Sequence, residues 1–126
     1  MRLATSAAEY VSIGPESKTF IRSRNNWARS RRLKAGVLAK LSDEALDEFE
    51  SSMSFNDRSG CLLSARCEKI ASELGKELPE FFELFGIDAS ILGSFYPYRC
   101  MGKRGCVRQL GWYCFQTKDQ PCNNGE

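Results

Sequence analysis

The chain has 126 residues, 42% of them apolar and 27% charged, with a net charge of +2, the size and make-up of one globular domain. It has no histidine, which excludes Ser-His-Asp and Cys-His catalysis, the HExxH zinc site, the two-His-one-carboxylate iron site and imidazole acid–base chemistry. No apolar run approaches the ~18 residues of a membrane span, and the opening MRLATSAAE lacks the apolar core of a secretory leader, so the expected setting is the cytoplasm, with thiols reduced.

The small net charge hides a three-part layout. Residues 1–40 carry nine Lys/Arg and two Asp/Glu, residues 41–90 four and twelve, and residues 91–126 five and two. That asymmetry points to a charged partner, or to the basic ends docking on the acidic middle.

Residues 1–24 have no strong period and read as a loosely structured arm. Val11, Ile13, Phe20 and Ile21 are its only candidates for short strands, around the Gly14-Pro15 turn. A helix is expected over 25–41, capped by Asn25 or Asn26, with an apolar stripe of Leu33, Val37, Leu38 and Leu41 weakened by Gly36. Ser42 caps a second helix, and Asp43 and Glu44 suit its first turn. A loop over 56–60 separates it from a third helix over 61–76, whose apolar face is Leu63, Cys67, Ile70, Ala71 and Leu74. Pro79 opens a short helix that Gly86 ends, and Asp88 caps a last turn over 89–93. Phe81, Phe82 and Phe85 are core or interface residues.

Beyond Phe95 the composition turns to cysteines and aromatics. A hairpin is expected, pairing 98–101 with 106–109 across Gly102-Lys103-Arg104-Gly105. The fold class is therefore mainly α: a small domain of three to five short helices with a cysteine-rich C-terminal hairpin or loop segment. Its divisions are an arm over 1–24, a helical domain over 25–93 and a basic tail over 94–126.

Cys100, Cys106, Cys114 and Cys122 are spaced C-x5-C-x7-C-x7-C. Zinc sites use short C-x2–4-C knuckles, absent here, so disulfides or plain thiols suit these residues better than a four-cysteine zinc module. Three pairings of the four are open, Cys100–Cys106 with Cys114–Cys122 among them. Cys67 reads as a buried thiol on its helix face, and Cys61 as the first residue of the same helix.

Arg22, Arg24, Arg29, Arg31, Arg32 and Lys34 crowd into 13 residues around Trp27. Arginine forks match phosphate oxygens and an indole can stack on a base, so this segment suits nucleic acid or an acidic protein surface. Pairing with the carboxylates of 43–50 is the competing interpretation. In the tail, Lys103, Arg104, Arg108, Trp112 and Tyr113 form a second candidate contact surface.

No catalytic or cofactor-binding residue emerges. The sequence suggests a non-catalytic interaction or regulatory protein that binds a larger assembly through its basic arm and cysteine-rich tail. Protein stands ahead of nucleic acid as the partner, and no integral membrane association is expected. An alternative is a precursor that releases a basic, cysteine-rich peptide from residues 94–126 for secretion.

Overall fold

The computed structural model describes residues 2–117. The described chain is about 47% helical and 16% strand, so the fold is mixed α/β with two small antiparallel sheets, not mainly α.

The N-terminal segment starts with a helix where short strands were expected. Ser6 caps α1 (Ala7–Ser12) by accepting from the Glu9 amide. Tyr10 of α1 is fully buried, and its hydroxyl accepts from the Leu62 amide at 2.8 Å. Phe20 and Ile21 are buried further along.

The helix expected over 25–41 is two elements. Ser23 caps α2 (Arg24–Leu33), which ends where Lys34 turns left-handed (φ 51°, ψ 47°). A 3-10 turn, Gly36–Lys40, follows. The break resets the helical phase, so Val37 and Leu38 are buried while Leu33 is 68% exposed.

Ser42 caps α3 (Asp43–Ser52) as its sequence suggests, through its hydroxyl and the Ala45 amide. A short strand, β1 (Ser54–Phe55), leads into a turn in which the Asn56 side chain accepts from the Arg58 and Ser59 amides. Gly60 closes that turn at φ 77°.

The largest departure from expectation lies in 61–76. Its first part is a strand, β2 (Leu62–Arg66), and only α4 (Glu68–Leu74) is helical. β2 lies between β1 and β5 (Trp112–Cys114), with Ala65 opposite Tyr113. A central strand covered on both faces shows an apolar run rather than strict alternation. Leu62, Leu63 and Ala65 are such a run, and it merges with the 3.6-residue period of α4. Cys61 therefore precedes a strand, and Cys67 sits at the N-cap of α4 instead of mid-face.

The remaining elements follow their punctuation. Pro79 lies in the first turn of α5 (Leu78–Glu83). Gly86 (φ 95°) turns the chain just after α5, and the Asp88 carboxylate caps α6 (Ala89–Leu92) through the Ser90 amide. β3 (Tyr98–Cys100) pairs with β4 (Cys106–Arg108) in the expected hairpin, with Tyr98 opposite Arg108 and Cys100 opposite Cys106.

One apolar cluster holds these pieces together. Phe49, Phe81, Phe82 and Phe85 are fully buried around Trp27, with ring centroids 4.9–6.4 Å apart. Tyr113 stacks on Phe82 at 5.3 Å, and Phe115 meets Tyr10 edge-on at 5.2 Å. The C-terminal strands thus share a core with α1 and α5.

Candidate functional site

Two basic regions came from the sequence, and the fold treats them differently. In the first, several residues face inward. The Trp27 side chain is 1% exposed, and its indole N–H donates to Glu50 at 2.8 Å. One turn on, Arg31 donates to Glu50 at 3.0 Å and to Asp47 at 2.7 Å. α2 therefore docks on the acidic face of α3. The Trp27 N–H, followed by Arg31, holds the Glu50 carboxyl below its usual range, and the hydrogen bond to Asp47 chiefly raises Arg31.

Arg22 is also interior, at 1% exposure. Its guanidinium donates to the carbonyls of Tyr10 (2.8 Å), Gly14 (3.1 Å) and Ser59 (2.7 Å) and lies 4.6 Å from the centre of the Tyr10 ring. It ties α1, the Gly14 turn and the Gly60 turn together. Arg24 donates to the Met53 carbonyl at 3.0 Å. Arg22 and Trp27 are consequently not contact residues, because burial closes them to any partner. Arg29, Arg32 and Lys34 remain exposed on the outer side of α2.

The second region is built by the hairpin and β5. Cys106 and Cys114 form a disulfide with Cα atoms 5.7 Å apart, which fastens β4 to β5. Cys100 faces Cys106 across the ladder, yet Cys106 bonds to Cys114. Cys100 is also disulfide-bonded. Cys122 lies outside the described residues. The disulfides engage Cys100, Cys106 and Cys114, so these sulfurs are not the thiolates a zinc module needs. Among the described residues no three Cys, Asp or Glu side chains converge on a metal position.

Trp112 is half-buried with two guanidinium groups against its ring, Arg99 at 4.3 Å and Arg66 at 5.8 Å. Arg66 is anchored by Glu68 at 3.1 Å and Glu48 at 3.6 Å. Lys103, Arg104 and Arg108 are exposed, as is Leu110 at 77%. Tyr113, by contrast, is fully buried, because its side chain belongs to the core face of β5. Sequence reasoning missed Arg99 and Arg66. Arg99 was findable from the predicted strand, where it sits between Tyr98 and Cys100. Arg66 required knowledge that β2 pairs with β5.

Cys61 and Cys67 are buried thiols. Burial pushes the Cys67 thiol well above its usual range, as it does the phenols of Tyr10 and Tyr113. A protonated, enclosed thiol is a poor nucleophile.

No family model, curated protein or solved structure matches this chain. Among the described residues no helix is long and apolar enough to cross a membrane.

Proposed function

We propose that this chain is a non-catalytic interaction protein whose contact surface is the β3–β4 hairpin with Trp112, and whose partner is an acidic protein surface. One observation supports this best: residues 89–117 contain four Lys/Arg and no Asp/Glu. α2, the other basic element, has Arg31 neutralised by α3 and Trp27 inside the core. Arg104 and Arg108 stand on the exposed hairpin with no carboxylate in their own stretch of chain. A rigid cationic strand pair beside an aromatic residue suits an acidic surface, and Arg is enriched at such contacts. The Cys106–Cys114 bond holds this surface in shape and persists in oxidising surroundings, so the hairpin is most rigid outside a reducing cytosol.

The peptide-precursor reading draws less support. Phe95, Tyr113 and Phe115 belong to the common core, and releasing residues 94–126 would strip them from it.

The test is retention on immobilised poly-L-glutamate at neutral pH under a salt gradient. The wild-type protein is expected to elute at higher salt than an R104E/R108E variant, and an R29E/R32E variant to elute close to wild type. Equal elution of R104E/R108E and wild type would overturn the proposal. So would tighter retention on immobilised duplex DNA that is lost in R29E/R32E, which would move the contact to α2 and to nucleic acid.

A further inference from the structure

Two guanidinium groups stand against the ring of Trp112, and the fold leaves them in different states. Arg66, opposite Trp112 in the β2–β5 ladder, lies 5.8 Å from the ring centre, and Glu68 and Glu48 neutralise it. Arg99, on β3, lies closer, at 4.3 Å. Its guanidinium meets no hydrogen-bond acceptor and no carboxylate among the described residues. The Trp112 indole N–H has no acceptor among them either. Both side chains are half-buried, and neither leaves an enclosed polar atom without a partner, so these N–H groups open on solvent.

Stacking occupies the face of a guanidinium and leaves its in-plane donors untouched, so Trp112 fixes the Arg99 fork without satisfying it. Other arginines that the fold holds fast are satisfied by the chain itself, Arg22 and Arg24 by carbonyls and Arg31 by Asp47 and Glu50. The support under Arg99 comes from both sheets. Arg99 pairs with Val107 in the hairpin, and Trp112 with Arg66 in the three-stranded sheet. Just before Trp112 the Gly111 carbonyl accepts from the Cys67 amide at 2.7 Å, and the Cys106–Cys114 bond ties β4 to β5. Cross-strand partners share a face, so Arg99 and Val107 lie on one side of the hairpin, with Tyr98 and Arg108 on the other.

We propose that Arg99, braced by Trp112, is the anchor of the hairpin surface and takes one side-chain carboxylate of an acidic partner through two parallel N–H···O bonds. A planar fork matches a carboxylate in this way, and a fork already in position loses little freedom on binding. One unneutralised guanidinium beside a neutralised Arg66 suits a single negative charge. Arg104, in the loop, and Arg108, on the other face, are exposed and attract the partner over a distance. This inference rests on the acidic-partner reading and adds which residue holds that partner.

The test is the association and dissociation of the full chain on an immobilised glutamate-rich peptide, amidated at its C-terminus so that only side-chain carboxylates are offered. R99K keeps the charge and loses the fork. It is expected to associate as wild type does and to dissociate about tenfold faster, the loss of a hydrogen bond between charged groups. R104E/R108E is expected to slow association instead. In the labelled wild-type protein the Arg99 Nε–H resonance is expected to shift as the peptide is added. Wild-type dissociation in R99K, with R104E/R108E still impaired, would overturn the anchor and leave the acidic-partner reading standing. So would an unmoved Arg99 Nε–H resonance while hairpin amides shift. No binding by the wild-type chain would overturn both.

Discussion

The indole N–H of Trp27 donates to the Glu50 carboxylate at 2.8 Å, so the residue best suited to stack on a base is committed to the chain's own acidic helix. Trp27 also packs against Phe49 at a centroid distance of 4.9 Å. Truncation to Ala should cost about 3–5 kcal/mol in urea unfolding, the usual range for a buried Trp. Trp27→Phe, which keeps most of the packing and loses the donor, should cost less and should raise the Glu50 carboxyl toward its ordinary range.

Acid should destabilise the fold through the same contact. Glu50 is held below the ordinary 4.5, chiefly by the Trp27 N–H, and Glu73 is lowered by the Ser42 hydroxyl and amide. A carboxyl lowered in the folded state favours folding above its unfolded value and loses that contribution as pH falls through the folded value. Melting temperature should therefore drop as pH falls below about 4.5. E50Q should flatten part of that drop. At the alkaline end burial raises Tyr10 from 10.0 and Cys67 from 9.0, so the unfolded chain ionises first and stability should fall again above that range.

Arg22 is the buried cation that knits the N-terminal segment to the Gly60 turn. Arg22→Ala leaves the carbonyls of Tyr10, Gly14 and Ser59 without their donor and should destabilise by about 3–5 kcal/mol. Arg22→Lys should recover little, because one ammonium cannot reproduce the fork. Denaturant midpoints decide it. A loss under about 1 kcal/mol for Arg22→Ala would show that these bonds contribute little.

Gly60 meets backbone on its far side. A Cβ there would sit 2.8 Å from the Pro15 Cα and 2.9 Å from the Arg22 carbonyl oxygen, at φ 77°. Gly60→Ala should cost about 1–3 kcal/mol, through both the clash and the left-handed backbone. The same measurement on Gly14→Ala, where φ is 80° but nothing lies within 4 Å of a Cβ, isolates the backbone part.

The thiols should divide by location. Cys61 and Cys67 should resist iodoacetamide in native buffer and react in guanidinium, as mapped by peptide mass spectrometry. The Cys106–Cys114 bond spans eight residues of sequence. Its removal by C106A/C114A should cost about 2–3 kcal/mol on loop-closure grounds.

What was legible in the sequence was local. The Ser42 and Asp88 caps, Pro79 and the Gly86 turn, and the hairpin across the glycine-flanked loop each rest on residues within a few positions of one another. What was hidden depends on distant partners. β2 looks helical because its apolar run joins the α4 period, and only its pairing with β5, some fifty residues on, makes it a strand. The stripe of Leu33 with Val37 and Leu38 assumed an unbroken helix, and the left-handed Lys34 splits it. The Cys106–Cys114 pairing needs β4 and β5 brought together in space, which spacing alone does not supply. Pairing of the basic segment with the carboxylates of 43–50 was present as a competing interpretation, and Arg31 follows it; the burial of Trp27 was not, because it depends on Phe49, Phe81 and Phe85 closing around the ring.

The contact surface is read most directly by residue-resolved NMR. The labelled full-length protein would be titrated with a glutamate-rich peptide at low salt. Amide shifts confined to residues 99–112, and abolished by salt, are the result expected of a hairpin surface. Shifts centred on residues 24–34, or none at all, would contradict it.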